Sequence, residues 1–383
     1  MARGVFWLGD WAMMERLGDV DWITPCLLGA LIGALCLGSL LGRAALGWGM
    51  LWAMIPEIER LFLPFLDTAW DMQLERGVTH SLGFILVVSA LLAKWLVPRW
   101  KREKVTRWRA FGAIMSVLVA HALVDACSLD GVWLGWPFGG HVSFALLPQV
   151  DFVLPVIFAF ALVLGWRVPT TTWKKGKGGR KAVGAGLIIG LAYIGIAFGV
   201  KSSMRGEMVD DMQRRGISWD RVWTVPEGGT ILLWRGLLER EGEIWVGYRS
   251  ILDDDVPVAW TIYPTGDDVP EELDETFEVQ TVRRRSDGWY LSRLTRRGLW
   301  LVDLRVMAQR EWDDRGVALR PIRAWEYQVN GRGDVLKKTL RRPFRRNYRR
   351  MISRMLGDDE DWADRPRLIG NPSEPQEYLS VLR

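Results

Sequence analysis

Residues 111–129 read F-G-A-I-M-S-V-L-V-A-H-A-L-V-D-A-C-S-L. A run of this length is close to the roughly 20 residues that cross a bilayer core, yet it carries His121 and Asp125. Their spacing of four puts them on one helical face, about one turn apart. Ionisable groups at such depth cost about 2.5–3.5 kcal/mol each on insertion scales, and more unless paired or hydrated. A membrane helix bearing this pair therefore needs something to offset that cost.

Outward from this stretch, further apolar runs of spanning length occur at 22–41, 81–97, 150–166 and 182–200, with a shorter one at 44–56. The short run suits a short or re-entrant helix, tolerated in lipid where protein or a wet cavity covers its ends. The chain is half hydrophobic and a quarter charged, with a mean hydropathy near zero. That value averages two unlike halves, because residues 202–383 hold most of the charge. A disordered chain and an ordinary cytosolic protein are excluded. So is a disulfide scaffold, since Cys26, Cys36 and Cys127 all lie in apolar runs. The expected fold is an α-helical multi-pass membrane domain of five to six segments, followed by an α+β, mainly antiparallel β, extramembrane domain. The expected divisions are an N-terminal tail at 1–21, a membrane domain at 22–200 and an extramembrane domain at 201–383.

Basic residues set the expected orientation. Segments 98–110 and 167–181 carry six Lys and Arg each, 130–149 carries none, and 57–80 has only Arg60 and Arg76. The positive-inside rule places the two basic loops in the cytoplasm and the other two outside. The helix at 182–200 then runs outward, and the C-terminal domain is expected outside the cytoplasm. Residues 1–21 contain Asp10, Glu15, Asp19 and Asp21 and lack the apolar core of a cleavable signal.

Counted from residue 111 at ~1.5 Å per residue, His121 and Asp125 sit roughly 15 and 21 Å from the cytoplasmic end, in the outer half of the bilayer. His80 opens the preceding helix on that side, and Glu57 and Glu59 follow the short segment there. Two imidazoles and up to three carboxylates thus reach one depth from three segments. A divalent cation would offset their burial together, and N and O donors suit Zn, Mn or Fe. An interhelical hydrogen-bond network and a proton or ion pathway are the other readings of the same residues.

Four blocks bear a resemblance to a known family: D-W-I-T-P-C-L-L-G at 21–29, P-E-I-E at 56–59, R-G-V-T-H-S-L at 76–82, and H-A-L-V-D-A-C-S-L-D-G-V-W-L-G-W-P-F at 121–138. In this order they resemble the YdjM/YbcI-type family of bacterial inner-membrane proteins over about residues 21–150. Residues 229–253 also look like the extramembrane part of its longer members. The resemblance implies a multi-pass protein of the bacterial cytoplasmic membrane that works as a metal-dependent hydrolase. It implies a divalent metal, Zn or Mn, on His80, His121 and Asp125, with Glu57 and Glu59 where the family usually has aspartates. Pro25 stands where members often carry Gln or His, and Ser128 where threonine is common.

The remaining polar residues each have two readings. Arg76 suits a phosphate or carboxylate of a substrate, or else lipid headgroups, Asp71 or Glu75. Thr79, Ser81 and Asp130 are candidates to support the histidines from behind, although Asp130 also suits a turn cap at Gly131. His141 is read as a loop histidine. Glu57 or Glu59 is the candidate general base, and depth alone points to a lipid-like ester or phosphoester at the outer leaflet. The alternative is a non-catalytic membrane protein whose outer domain binds a partner. No G-x-S-x-G, P-loop, H-E-x-x-H or C-x-x-C motif occurs, and no histidine follows residue 141.

In the C-terminal half a polar helix is expected at 202–218. Strands are expected at 230–238, 243–251, 256–263, 276–283, 288–294 and 299–307. The run 337–354 holds nine basic residues and no acidic one. It reads as an amphipathic helix extending to about residue 356, with Pro343 in its first turn. Such a helix fits an anionic membrane surface or docks on its own domain. The expected side argues against nucleic acid as a partner.

Overall fold

The computed structural model describes residues 22–62, 65–174, 179–254, 257–265, 269–295, 298–306, 323–330, 333–340 and 345–358. The expected tail at 1–21 lies outside them. The chain divides into two compact units: residues up to 65 with 74–197, and residues 66–73 with 198 onward.

The first unit is helical. Helices α1 (Ile23–Leu41) and α2 (Ala44–Ala53) form a hairpin, followed by a 3-10 turn, Pro56–Leu61. Helix α3 (Thr68–Leu74) and a second 3-10 turn (Val78–His80) lead to α4 (Leu82–Leu96), which continues as a 3-10 turn to Trp100. Then come α5 (Arg107–Ala126), the two-residue strands β1 (Val132–Trp133) and β2 (His141–Val142), α6 (Val153–Arg167), α7 (Thr170–Lys174) and α8 (Gly179–Arg214). Among the described residues four helices are long and apolar enough to cross a membrane: α1, α4 with its 3-10 extension, α5 and α8. Helices α2 and α6 are apolar but shorter. At ~1.5 Å per residue, the ten residues of α2 reach only about half a bilayer core, consistent with a short or re-entrant segment.

Small residues let α1 and α2 touch backbone to backbone. A Cβ on Gly29 would lie 2.5 Å from the Gly49 carbonyl oxygen, and one on Gly33 would lie 2.6 Å from that of Ala45. This is a Gly-x3-Gly contact of the kind that packs helices in lipid, where no hydrophobic force drives association. At one end of the unit Arg43 donates to the Val168 carbonyl. Trp173 is buried there, with its indole N–H on the Gly165 carbonyl. At the other end the last carbonyls of α5, left open by helix geometry, accept from Phe144, Leu146 and Leu147.

The second unit is α+β. Strands β3 (Arg221–Glu227), β4 (Leu233–Arg240), β5 (Glu243–Ser250) and β6 (Trp260–Pro264) form one antiparallel meander. Strands β7 (Tyr290–Thr295), β8 (Gly298–Asp303), β9 (Arg323–Asn330) and β10 (Gly333–Leu340) form a second. Helices α9 (Glu271–Asp274) and α10 (Phe277–Arg285) join the two, and α11 (Arg345–Met355) follows. Tyr248, Tyr263, Trp289, Val302 and Met351 are among the residues of one core.

Several sequence expectations change here. Residues 276–283 are helical rather than extended: Val279 and Val282, three apart, turn inward together. Glu278 and Arg283–Arg285 sit at the helix ends where the backbone dipole favours each charge. The expected polar helix at 202–218 is the unbroken continuation of α8 to Arg214. The basic run is split: residues up to Leu340 pair with β9 as β10, and the helix begins at Arg345. Ladder hydrogen bonds across eight residues outcompete the helical register there. Pro343 lies outside the described residues. Strands β3 and β9 were not foreseen.

Residues 66–73 belong to the second unit. Asp67 caps α3 by accepting from the Trp70 amide, and Ala69 and Met72 enter a core with Val279, Val282, Leu299, Leu301, Trp325 and Tyr327. Residues 66–73 therefore fold with the C-terminal domain. Met72 is 3% exposed, so Met72→Asp buries a charge without a partner, which costs several kcal/mol. We expect limited proteolysis of the purified protein to cleave near residues 62–76 in this variant and not in the wild type. Equal resistance would show that α3 is not anchored by its apolar face.

Candidate metal centre

The site forms where three chain segments end at one level of the first unit. The turn after α2 supplies Glu57 and Glu59, the turn before α4 supplies Thr79 and His80, and the last turns of α5 supply His121 and Asp125. Pro56 starts the first turn and carries no amide proton to satisfy. Ser81 caps α4, accepting from the Phe84 amide and donating to the Val78 carbonyl.

Glu57, His80, His121 and Asp125 are all buried, and one donor atom of each lies within 4.8 Å of the others. Asp125 Oδ2 is 3.0 Å from His80 Nε2 and 3.2 Å from His121 Nε2, and Glu57 Oε1 is 3.4 Å from His121 Nε2. A tetrahedral cation with bonds of about 2.0–2.1 Å to N and O sets its donors about 3.3 Å apart. These three edges are close to that spacing, and the other separations stay within 4.8 Å. Equally telling, His80 Nε2, His121 Nε2 and Asp125 Oδ2 are buried without a hydrogen bond of acceptable geometry. Buried polar atoms normally find such partners. Three converging atoms of this kind could hold a shared cation.

The surroundings orient these donors. Thr79 donates its hydroxyl proton to Glu59 Oε2, and its oxygen lies 3.1 Å from His80 Nδ1. Glu59 Oε1 is 3.7 Å from the same nitrogen. With Thr79 committed to Glu59, its free lone pair accepts the proton of His80 Nδ1, and the Nε2 lone pair faces the cluster. This is the carboxylate-supported histidine common behind metal ligands. Glu59 itself is not among the four convergent donors. Burial holds its carboxyl above the usual range, against the opposing pull of His80, Thr79 and the Arg76 amide. Burial acts the same way on Glu57, but the adjacent His121 imidazole and the Arg60 charge outweigh it and hold that carboxyl below its usual range.

Arg76 turns toward the cluster. One guanidinium nitrogen donates to Ser128 Oγ at 2.7 Å and another lies 3.9 Å from Asp125 Oδ1. Its backbone φ is +55°, a left-handed conformation that costs an L-residue about 1–2 kcal/mol. The conformation is held from both sides, since the Arg76 amide donates to Glu59 Oε1 and its carbonyl accepts from the Trp133 amide. Asp130 is buried, and its carbonyl lies 2.9 Å from His141 Nε2. His141 belongs to β2 rather than a loop and packs on Trp133, outside the four-residue cluster. Ser81 serves as a helix cap. Sequence reasoning missed Arg60, which pairs with Glu57, and Ser128 as the Arg76 partner. Position alone signalled the first, three residues beyond Glu57.

Residues 20–203 match the model of the YdjM inner membrane protein family. The inner membrane protein YbcI of Escherichia coli (strain K12) is 33% identical over 107 residues, which cover 27% of this chain and 60% of that relative. No solved structure matches.

Proposed function

From a membrane half that matches the YdjM inner membrane protein family, we propose a membrane-bound, metal-dependent hydrolase of a lipid-like ester or phosphoester at the outer leaflet. The convergence of four buried donor atoms, one from each residue and all within 4.8 Å of one another, carries this reading. Glu57, His80, His121 and Asp125 hold the cation, and their two-nitrogen, two-oxygen set suits Zn or Mn. When bound, such a cation supplies Lewis acidity and lowers the pKa of water toward ~7.

The chain's own groups do the rest. Glu59 acts through Thr79 to keep the His80 ring in one tautomer and orientation. Arg60 steadies one oxygen of Glu57 and leaves the other for the cation. Arg76 holds an anionic oxygen of the substrate, aimed by Ser128 and by its constrained backbone. Depth selects the substrate class, because the site lies where α4 begins and α5 ends, at the level of lipid headgroups. The outward orientation follows from the basic loops at the opposite end.

Elemental analysis of detergent-purified protein tests the reading. The wild type is expected to carry stoichiometric Zn or Mn and the His80→Ala variant none. Thr79→Val is expected to weaken metal binding about 10–100-fold, the usual effect of losing a supporting partner. A metal-free wild type whose His80→Ala variant melts at a lower temperature would identify a structural cluster instead. With the metal established, lipid esters and phosphoesters are then screened with and without chelator.

A further inference from the structure

The basic helix α11 is amphipathic in a way that the hydrolase reading does not use. Met351, Arg354 and Met355 face inward: both methionines join the domain core, and Arg354 pairs with Asp253 and donates to the Tyr248 carbonyl. On the opposite face Arg349, Ile352 and Leu356 are exposed, the last two by 51% and 64%. Beside the helix end lies the turn after β5. The Ser250 hydroxyl donates to the Met355 carbonyl, and Gly357 sits against Leu252. That turn exposes Ile251 and Leu252. Four large apolar side chains are thus exposed about the end of α11, and the sequence at 337–354 holds nine basic residues and no acidic one.

We propose that this patch is a second membrane contact of the protein, docking on an anionic lipid surface. The pattern is that of an interfacial helix, with apolar side chains entering the headgroup boundary and arginines meeting lipid phosphates. The domain needs no recruitment to reach that surface. Helix α8 runs without a break from an apolar candidate span into the second unit, so the domain is tethered to a membrane and weak contacts suffice. A second copy of the chain or residues 359–383 are the competing occupants.

The full-length protein is tested in nanodiscs. Leu356→Cys, or Ile352→Cys should that variant not fold, carries an environment-sensitive fluorophore in a Cys26→Ala, Cys36→Ala, Cys127→Ala background. Arg284→Cys, at an exposed site on α10, is the control. In phosphatidylglycerol discs the label at 356 is expected to shift to the blue and be quenched by brominated lipid. In phosphatidylcholine discs and at high salt both effects should largely vanish, and Arg349→Glu should weaken the preference about tenfold. Hydrogen exchange of residues 349–357 in the unlabelled wild type should show the same lipid dependence. Identical signals in both discs and in detergent would overturn the proposal. Protection that persists in detergent would assign the patch to residues 359–383, and cross-linking between chains at position 356 would assign it to a second copy.

Discussion

Asp125→Asn is expected to strip the metal and destabilise the membrane unit in one step. Oδ2 of this residue is the shared vertex of the cluster, 3.0 and 3.2 Å from the two imidazole nitrogens. Supporting partners alone change metal affinity by about 10–100-fold, so a central charged ligand should be worth at least about 100-fold. The second loss does not need the metal. Asp125 also faces the Arg76 guanidinium, and removing one partner of a buried ion pair typically costs about 3–5 kcal/mol. Competition with a chelator measures the first effect and thermal unfolding of chelator-treated protein the second. Wild-type metal content in Asp125→Asn would remove the residue from the coordination set. Retained stability with lost metal would show that Ser128 alone satisfies Arg76.

The other large effect concerns packing. Gly49→Leu is expected to prevent the α1–α2 hairpin from forming, because even a Cβ there would lie 2.0 Å from the Gly29 carbonyl oxygen. Backbone cannot rotate away as a side chain can, so the helices must separate. Gly49→Ala should cost about 1–3 kcal/mol, as overpacking does. Gly47 on the same helix has nothing within 4 Å of a built Cβ, so Gly47→Ala should be neutral or slightly stabilising. The pair is compared by folded yield and melting temperature in one detergent. Equal behaviour of the two alanine variants would mean that the helices do not approach as closely as described. Helix α2 leads directly into the turn that carries Glu57, so Gly49→Ala should also weaken metal retention.

Much of the site could be read from residue types and spacing. His121 and Asp125 declared themselves because two ionisable groups, four apart, are anomalous in an apolar helix. His80 was found because it opens the preceding helix at matching depth, and Glu57 because it follows the neighbouring segment. Glu57 and Glu59 could not be told apart by such counting. Alternation along one short turn sends them to different neighbours, one to His121 and Arg60, the other to Thr79 and the Arg76 amide. Nor could Arg76 be directed. Its left-handed backbone turns it toward Ser128 and Asp125, a direction that spacing along the chain does not give.

The C-terminal half was harder for a different reason. Short segments such as 276–283 and 337–340 carry mixed propensity, and neighbouring elements decide between helix and strand. Val279 and Val282 have a core to face as a helix, and residues 333–340 have β9 to pair with as a strand.

Local chemistry by itself determined that this chain enters a membrane, that its halves differ in kind, and that histidines and carboxylates meet at one depth. Those properties depend on hydropathy, charge and the rise per residue, which are summed along the chain. Only the tertiary structure decided which four donors share a point, that Glu59 supports rather than joins them, and that residues 66–73 leave the membrane sequence to fold with the C-terminal domain. Each of these depends on directions and distances between residues far apart in the chain, which are set when packing closes the backbone around them.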